Sequence, residues 1–249
     1  VLNYAMSIEG HVCLEINNFA EKLINLLNTS TINKSNVCPL IIELLKEGRL
    51  GKRTSKDKTT YIYTVPAYKA EKRLSENIKS LNERKYSYKK DLDSLIDKYS
   101  EVKLDKSQRE AIKMALSNGL SIITGGPGTG KTTITKIIGK INEEIHGETP
   151  LFLSPTGRAA RRITENTGYS AYTVHKRLKL NILEENTEHK EEVEPVTEKL
   201  VIVDETSMLD LWVADVLFNA INNSNVVMVG DINQLPSVGP GSVLRDMIN

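Results

Sequence analysis

The residues with the clearest chemical signature form a glycine-rich stretch, residues 125–133, which reads GGPGTGKTT. It satisfies the spacing G-x-x-x-x-G-K-[ST], and it lies between an apolar run, Leu120 to Thr124, and a helix candidate, Thr132 to His146. Glycines let the backbone wrap closely around phosphates, so that successive N–H groups and the helix N-terminus point at the anion. The pattern predicts a phosphate-binding loop in which Lys131 reaches the β- and γ-phosphates and Thr132 places its hydroxyl on Mg²⁺. A purely structural turn is disfavoured, because Gly, Lys and Thr all stand at the required offsets.

A second chemical site is expected where a later strand ends in two acidic residues. The apolar run Leu200 to Val203 precedes Asp204 and Glu205, and it places Asp204 at the carboxyl edge of a sheet, where open α/β sheets bind ligands. Asp204 is suited to hold Mg²⁺, directly or through water, and Glu205 to polarise an attacking water. After a further strand, Val226 to Val229, Gln234 could report the presence of a γ-phosphate, although an isolated glutamine is more often a loop residue.

The elements that must position these residues alternate between strand and helix from Asp105 onward. Continuous apolar runs of strand length suit parallel strands buried on both faces. We predict four strands and four helices; the strands are Leu120 to Thr124, Leu151 to Ser154, Leu200 to Val203 and Val226 to Val229, and the helices are Ser107 to Ser117, Thr132 to His146, Gly157 to Glu165 and Leu209 to Asn222. The fold class is therefore α/β, with a doubly wound parallel sheet of the P-loop NTPase type over residues 105–249. One interruption, residues 181–198, holds seven Glu and is expected to be a mobile acidic surface loop.

The first 66 residues follow a different pattern, in which helices precede a hairpin. Phe19 to Leu27 and Leu40 to Leu45 read as short helices, the second entered near Pro39, and the alternating strand Thr60 to Val65 is expected to close at Pro66. This order predicts a small winged-helix-like α+β domain. Its hairpin region carries a cluster of basic residues, namely Lys46, Arg49, Lys52, Arg53, Lys56 and Lys58. Contact with a nucleic acid backbone and a merely solvated hairpin tip explain this cluster about equally well.

Residues 67–104 are expected to form linking helices between the two domains. Their apolar positions follow a 4-3 spacing, which predicts a long helix or a helical hairpin; they are Leu74, Ile78, Leu81, Tyr88, Leu92, Leu95 and Tyr99. The pattern breaks between Lys85 and Tyr88. This break favours packing against the neighbouring domain over dimerisation through the seam.

Composition limits the remaining classes of protein. The 249 residues carry a formal net charge of +1 and are 39% hydrophobic, which is typical of a soluble globular chain. No apolar run reaches the roughly 18 residues of a membrane span. Cys13 and Cys38 form no CxxC pattern, so we expect neither a disulfide framework nor a zinc site. This cysteine usage suits a reducing compartment, and we expect the protein to be cytoplasmic. The chain starts at Val1 without a secretion signal, and we expect it to be part of a longer protein.

Taken in order, the motifs resemble those of superfamily 1 DNA helicases, specifically the RecD-like/TraA group. The resemblance spans about residues 105–249. It rests on Gln108-Arg109, GGPGTGKTT, SPTGRAA at 154–160, YTVH at 172–175, VDETS at 203–207 and VGDINQLPSVGPG at 229–241. Upstream, GHVCL at 10–14 and LLKEGRL at 44–50 resemble, less distinctively, the segment before the motor in longer RecD-like proteins.

The resemblance implies an ATP-dependent motor that moves 5′ to 3′ on single-stranded DNA and unwinds duplex ahead of it in recombination and repair. Lys131, Glu205 and Gln234 would be its catalytic residues, with Gln234 coupling nucleotide state to movement. Thr132 and Asp204 would hold Mg²⁺. The implied ATP contacts, with Gln108 recognising adenine, are Gln108, Gly126, Gly128, Thr129, Gly130, Lys131, Thr132 and Thr133, and the implied DNA contacts are Pro155, Thr156, Arg158, Thr173 and His175.

Purely structural roles remain open for some of these residues. His175 could equally make a structural hydrogen bond near a helix start. Arg158, Arg161 and Arg162 could form a solvated helix face, because Arg161 and Arg162 cannot both point where Arg158 does.

One departure from the resembled group concerns the second RecA-like domain, which in such motors closes over the nucleotide and contributes arginines. The sequence stops at Asn249, soon after Gln234, and nothing places Arg245 at the phosphate. We therefore expect this stretch alone to bind ATP·Mg²⁺ weakly, to hydrolyse it slowly and not to unwind DNA. The expected partners are single-stranded DNA, or duplex with a single-stranded end, and nuclease or repair proteins.

Three alternative functions are weighed against the motor. The first is a nucleotide-gated module that docks on DNA through the winged-helix-like region. The second is the helicase part of a conjugative relaxase, although no His-rich relaxase metal cluster occurs. The third is the helicase subunit of an exonuclease complex, whose cleavage a partner would supply, because the chain offers no acidic nuclease cluster outside Asp204-Glu205.

Overall fold

The computed structural model describes residues 1–27, 33–180 and 193–248. Its N-terminal part consists of three helices and a three-stranded antiparallel sheet. In chain order the elements are α1 (Leu2–Glu9), β1 (Cys13–Glu15), α2 (Ile16–Leu27), α3 (Lys34–Lys46), β2 (Leu50–Thr54) and β3 (Thr60–Thr64), and the strands lie in the order β1-β3-β2. Their shared apolar core includes Leu2, Phe19, Ile41 and Ile62. The sequence patterns did not predict α1 and β1, whereas the two later helices and the hairpin were predicted.

Two predicted boundaries in this region are wrong. Helix α3 begins six residues before the predicted Leu40, because Asn33 caps it: the Asn33 side chain accepts a hydrogen bond from Ser35 N at 3.0 Å. Pro39 therefore lies inside the helix rather than at its entrance. Strand β3 ends at Thr64, and Pro66 occupies the first turn of the next helix, where a missing N–H costs no hydrogen bond.

The linking region divides into two helices, α4 (Val65–Glu83) and α5 (Leu92–Tyr99), so the seam is not continuous. Leu74 and Leu81 on α4 join one apolar cluster, whereas Leu95 on α5 joins another. Alternate residues of the central strands belong to these two clusters, so the two helices cover opposite faces of the large sheet. Packing of this region against its neighbouring domain is confirmed.

One ion pair ties α4 to the C-terminal part of the chain. Arg73 Nε donates to Asp215 Oδ1 at 2.9 Å, and a second hydrogen bond joins Arg73 Nη2 to Asp215 Oδ2. Asp215 is almost fully buried, so this bidentate pair satisfies a carboxylate that would otherwise lie unpaired in the interior.

The rest of the described chain forms a five-stranded parallel sheet with helices on both faces, which confirms the predicted α/β class. Its elements are α6 (Lys106–Ser117), β4 (Leu120–Thr124), α7 (Lys131–His146), β5 (Leu151–Ser154), α8 (Gly157–Thr167), β6 (Ala171–Thr173), α9 (Val174–Arg177), β7 (Leu200–Val203), a 3₁₀ turn (Thr206–Met208), α10 (Leu211–Ala220), β8 (Asn225–Gly230) and α11 (Val243–Ile248). The strand order is β4-β8-β7-β5-β6, and every neighbouring pair is parallel. Three predicted strands match to the residue, whereas β6 was not predicted.

The parallel register brings the strand ends to one edge. Thr124 of β4 lies opposite Gly230 of β8, and Val203 of β7 lies opposite Met228 of the same strand. At the far side of the sheet, Ser154 of β5 lies opposite Thr173 of β6. The segments that follow these residues therefore share the carboxyl edge, where open α/β sheets bind their ligands.

Two further predictions concern the acidic loop and the membrane. Of the predicted loop at 181–198, residues 181–192 lie outside the described residues. The described end is anchored, since Val196 is fully buried and Arg177 contacts Glu198 at 3.2 Å. Among the helices that the structure describes, none has both the length and the apolar character needed to cross a membrane.

Candidate active site

The loop between β4 and α7 is shaped by its glycines. Gly128 and Gly130 adopt φ values of 75° and 85°, a region that side chains strongly disfavour. The Thr129 hydroxyl donates to the Gly126 carbonyl at 2.9 Å and closes the loop on itself. A Cβ at Gly125 would lie 2.7 Å from that hydroxyl oxygen, so glycine is required there by close approach. The sequence pattern predicted this loop, and it lies between the strand and the helix as expected.

Lys131 stands at the first position of α7 and folds over the loop. Its Nζ donates to the carbonyls of Gly125 at 2.5 Å and Gly126 at 2.9 Å. These contacts hold the ammonium group over the loop that was predicted to surround phosphates. Thr132 follows on the first turn of α7, with the helix N-terminus and its unpaired N–H groups on the same side.

Gln108 braces the loop from the neighbouring helix. Its side-chain Oε1 accepts from Asp105 N at 3.0 Å, and Asp105 Oδ1 accepts from Gln108 N at 2.9 Å, which together form a capping box at the start of α6. The Gln108 Nε2 donates to the Thr129 carbonyl at 3.1 Å. The amide oxygen therefore caps α6, and the amide nitrogen contacts the loop. The residue also lines a cleft of about 750 Å³ on the α6 side of the loop, together with Val102 to Asp105, Ala111 and Thr133.

Asp204 and Glu205 leave the end of β7 in a strained turn. Asp204 N donates to the Leu153 carbonyl at 2.9 Å and extends the sheet by one residue, while Asp204 Oδ1 accepts from Glu205 N at 2.8 Å. Burial raises the pKa of the Asp204 carboxyl above its ordinary value, and the charge of Glu205 raises the pKa further. The positive charges of Lys131 and Arg162 act in the opposite direction on that pKa.

The turn itself is held by close packing. Glu205 adopts φ 55°, an uncommon value for a residue with a side chain. The buried Thr206 hydroxyl, one residue further on, donates to the Val229 carbonyl on β8 at 2.9 Å. A Cβ at Gly230 would lie 2.7 Å from that hydroxyl oxygen, so the small residue lets β8 approach the turn. The acidic pair is thus fixed relative to the sheet.

A single cleft of about 460 Å³ brings the predicted residues together. Lys131 and Thr132 line one side, and Asp204, Glu205 and Gln234 line the other. Gln234 lies in a turn in which the carbonyl of the buried Asp231 accepts a hydrogen bond from Gln234 N at 3.1 Å. The sequence analysis placed all five residues in one ATP site. They line one cleft, and its ligand stays a prediction.

Helix α8 contributes a third wall that the sequence analysis missed. Ala159, Arg162, Ile163 and Asn166 line the same cleft. Their spacing of three and four residues marks one face of a helix. This spacing is visible in the sequence, but nothing in the sequence alone identifies the loop that this face would meet.

The residues predicted to contact DNA lie at the β5 and β6 ends of the same edge. Thr156 Oγ1 accepts from Ala159 N at 3.3 Å and caps α8, and Thr173 Oγ1 accepts from Lys176 N at 3.1 Å and caps α9. Pro155 and His175 are partly exposed, and Arg158 is exposed. These five residues lie at or just after the ends of two neighbouring parallel strands, where Ser154 of β5 lies opposite Thr173 of β6. Their binding partner stays a prediction.

The donor set fits Mg²⁺ better than a metal that needs a protein cage. In the described ranges no group of three or more His, Cys, Asp or Glu side chains could hold a metal ion. Mg²⁺ is usually bound by one or two carboxylates together with substrate phosphates and waters. Asp204 and the Thr132 hydroxyl, which line the same cleft, satisfy this requirement.

Comparison with known proteins identifies the family to which the chain belongs. The AAA domain family matches residues 108–240, more than half of the chain, and this range contains every residue of the cleft. The chain belongs to the AAA domain family.

Curated relatives of this AAA domain carry helicase names. Over 139 residues it is 38% identical to the ATP-dependent RecD2 DNA helicase of Deinococcus radiodurans, a match that covers 55% of the chain and 19% of that protein. It is 33% identical over 166 residues to the RecBCD enzyme subunit RecD of Mycolicibacterium smegmatis, covering 57% of the chain and 30% of the subunit. The same subunit of Haemophilus influenzae is 31% identical over 216 residues, covering 75% of the chain and 33% of the subunit.

These relatives confirm the RecD-like resemblance that the motifs indicated. The chain spans about a fifth to a third of their length.

The buried acid of this AAA domain generates a stability prediction. At neutral pH the Asp204→Asn variant should melt at the same temperature as the wild type or higher, because the amide removes a carboxylate whose ionised form burial disfavours. An acid whose pKa is raised by folding destabilises the folded state at pH values above its pKa in the unfolded chain. The difference in melting temperature should therefore shrink as the pH falls through the Asp204 titration. Thermal melts monitored by circular dichroism between acidic and neutral pH measure this difference.

The matched control is Asp215→Asn, because Asp215 is also buried but is paired with Arg73. Removing that charge should cost about 1 to 3 kcal/mol, since the guanidinium loses its partner. A destabilised Asp204→Asn variant at neutral pH would show that the Asp204 carboxylate is satisfied in the fold.

Proposed function

We propose that this chain supplies the ATPase motor domain of an ATP-dependent DNA helicase of the RecD type, which moves 5′ to 3′ on single-stranded DNA. The observation that carries the proposal is the single cleft shared by Lys131, Thr132, Asp204, Glu205 and Gln234. The helicase names of the curated relatives support it. The direction of movement rests on the resemblance of the motifs.

Five residues of the cleft have parts in ATP binding or hydrolysis. The loop N–H groups and Lys131 bind the phosphates, which requires the ammonium group to exchange the carbonyls of Gly125 and Gly126 for phosphate oxygens. Thr132 and Asp204 would hold Mg²⁺. When bound, Mg²⁺ neutralises negative charge on the β- and γ-phosphate oxygens. Glu205 orients and polarises the attacking water, and Gln234 reports the γ-phosphate to the DNA-facing loops.

The adenine would lie on the other side of the loop, in the cleft beside α6. Gln108 would recognise the base there, as the resemblance of the motifs implies, although its amide already contacts the loop through Thr129. Recognition of adenine would therefore share or replace one of these hydrogen bonds. Such an exchange would couple the presence of the base to the shape of the phosphate loop.

The DNA strand would run across the ends of β5 and β6. Arg158 and His175 would contact it there, and Thr156 would set the start of α8 against the phosphate backbone. We further propose that the physiological substrate is single-stranded DNA or duplex with a single-stranded end, that nuclease or repair proteins are partners, and that the protein works in the cytoplasm.

The nucleotide part of the proposal is tested by Lys131→Ala. This change should abolish Mg²⁺-dependent binding of ATP, because it removes the cation that reaches the β- and γ-phosphates. Lys140→Ala is the matched control, since Lys140 lies on the same helix but pairs with Glu101 at 3.3 Å. Titration with fluorescent ATP measures both variants. Equal saturation by Lys131→Ala and the wild type would contradict the assignment of the loop.

The DNA part is tested by neutralising the predicted track. Arg158→Ala combined with His175→Ala should weaken single-stranded DNA binding by about tenfold or more and reduce its salt dependence, because phosphate contacts are lost. Arg161→Ala should change little, since Arg161 is exposed and pairs with Glu165 at 2.9 Å. Fluorescence anisotropy at several salt concentrations reports both effects.

The same titration separates the motor from a DNA-docking module built on the N-terminal hairpin. Arg53 of that hairpin pairs with Glu71 at 2.7 Å, which leaves three lysines for phosphates: Lys52, Lys56 and Lys58. If replacing these lysines alone abolishes DNA binding while the Arg158/His175 variant binds normally, the docking module is the correct function.

A further inference from the structure

Arg162 occupies a position in the cleft that the proposed mechanism does not yet use. It lies on α8 and lines the cleft opposite the phosphate loop, beside Asp204 and Glu205. Asn166, one helical turn further on, lines the same wall. Arg162 is therefore the cationic side chain that α8 turns toward the cleft.

Its neighbour Arg161 shows what an ordinary surface arginine does on this helix. Arg161 Nε donates to Glu165 Oε1 at 2.9 Å in an i,i+4 ion pair. Both arginines are exposed, so this ion pair and not burial distinguishes Arg161 from Arg162. Over the described ranges, no hydrogen bond or ion pair holds Arg162, and it shares its cleft with two acidic residues. A cation that lacks a fixed partner and faces a ligand cleft is available to an anionic ligand.

The location of the two clefts decides which part of a nucleotide Arg162 would meet. The cleft beside α6 and the cleft beside α8 both include Gly128 to Lys131, so they lie on the two sides of one loop. With the base on the α6 side, the phosphate chain crosses the loop and its end points toward α8. The wall that meets this end carries Arg162, Asp204, Glu205 and Gln234.

Electrostatics favours the same placement. The charged residues that line the cleft are two cations, Lys131 and Arg162, and two acids, Asp204 and Glu205. A γ-phosphate bound in this cleft would add negative charge beside the acids. The Arg162 guanidinium would offset this charge, and its fork of donors suits phosphate oxygens.

We propose that Arg162 binds the γ-phosphate from within the same chain and so distinguishes ATP from ADP. This inference rests on the proposed nucleotide site and deepens it. Arg162 is a ligand-binding residue in this account.

The test compares two nucleotides that differ by the γ-phosphate. Fluorescent ADP and a fluorescent non-hydrolysable ATP analogue are titrated, each with Mg²⁺, into the 249-residue chain. Arg162→Ala should weaken binding of the triphosphate analogue by about tenfold to hundredfold and leave ADP affinity nearly unchanged. Arg162→Lys should fall in between, because a lysine keeps the charge but loses the bidentate geometry. Arg161→Ala should alter neither affinity.

The possible results are distinct. An unchanged ratio of triphosphate to diphosphate affinity in Arg162→Ala overturns the inference while leaving the nucleotide site intact. Equal loss of both affinities also overturns it, because a general effect on the fold or the cleft charge would not distinguish the two ligands. Melting curves of each variant identify loss of fold. If the wild-type chain binds neither nucleotide, the proposed function fails together with the inference.

Discussion

The parallel register of the large sheet is the constraint on which the whole site depends. Because β4, β8, β7, β5 and β6 all run in the same direction, the segments that follow them emerge at one edge. Strand β8 separates the phosphate-loop strand from the acidic strand, so two strand spacings, about 10 Å, lie between them. In the proposed function, this gap would take a phosphate chain and a hydrated metal ion. Moving either strand by one position in the sheet would close this gap or carry the acids too far from the phosphate loop.

The chain maintains this edge at some cost to local stability. Glu205 has a left-handed backbone conformation, and Asp204 is a buried acid whose ionised form is disfavoured. Close packing makes both tolerable, since the Thr206 hydroxyl bonds to Val229 and Gly230 leaves room for it. Strain and burial of charge at a ligand edge are typical of sites that are shaped for function rather than for stability.

Sequence patterns predicted the sheet well and the linking region poorly. Strands such as Leu200 to Val203 are continuous apolar runs bounded by polar residues, and period and length identify them without tertiary information. The edge strand Ala171–Thr173 has three residues and only partial burial, so it leaves no such run. The 4-3 pattern from Leu74 to Tyr99 predicted a long helix or a helical hairpin with a break between Lys85 and Tyr88, and two helices form. The pattern did not show that these helices cover opposite faces of the sheet. The sequence also gave no indication of the role proposed for Arg162. Its spacing shows which residues share its helix face, but not that this face lines the cleft beside the phosphate loop.

The most direct test of the account is a crystal structure of this chain with Mg²⁺ and a non-hydrolysable ATP analogue. In the expected result, the Lys131 ammonium has left the carbonyls of Gly125 and Gly126 for the β- and γ-phosphate oxygens, and the metal ion lies between Thr132 and Asp204. A nucleotide bound elsewhere, with Lys131 still on those carbonyls, would contradict the central claim that this edge of the sheet is an ATP site.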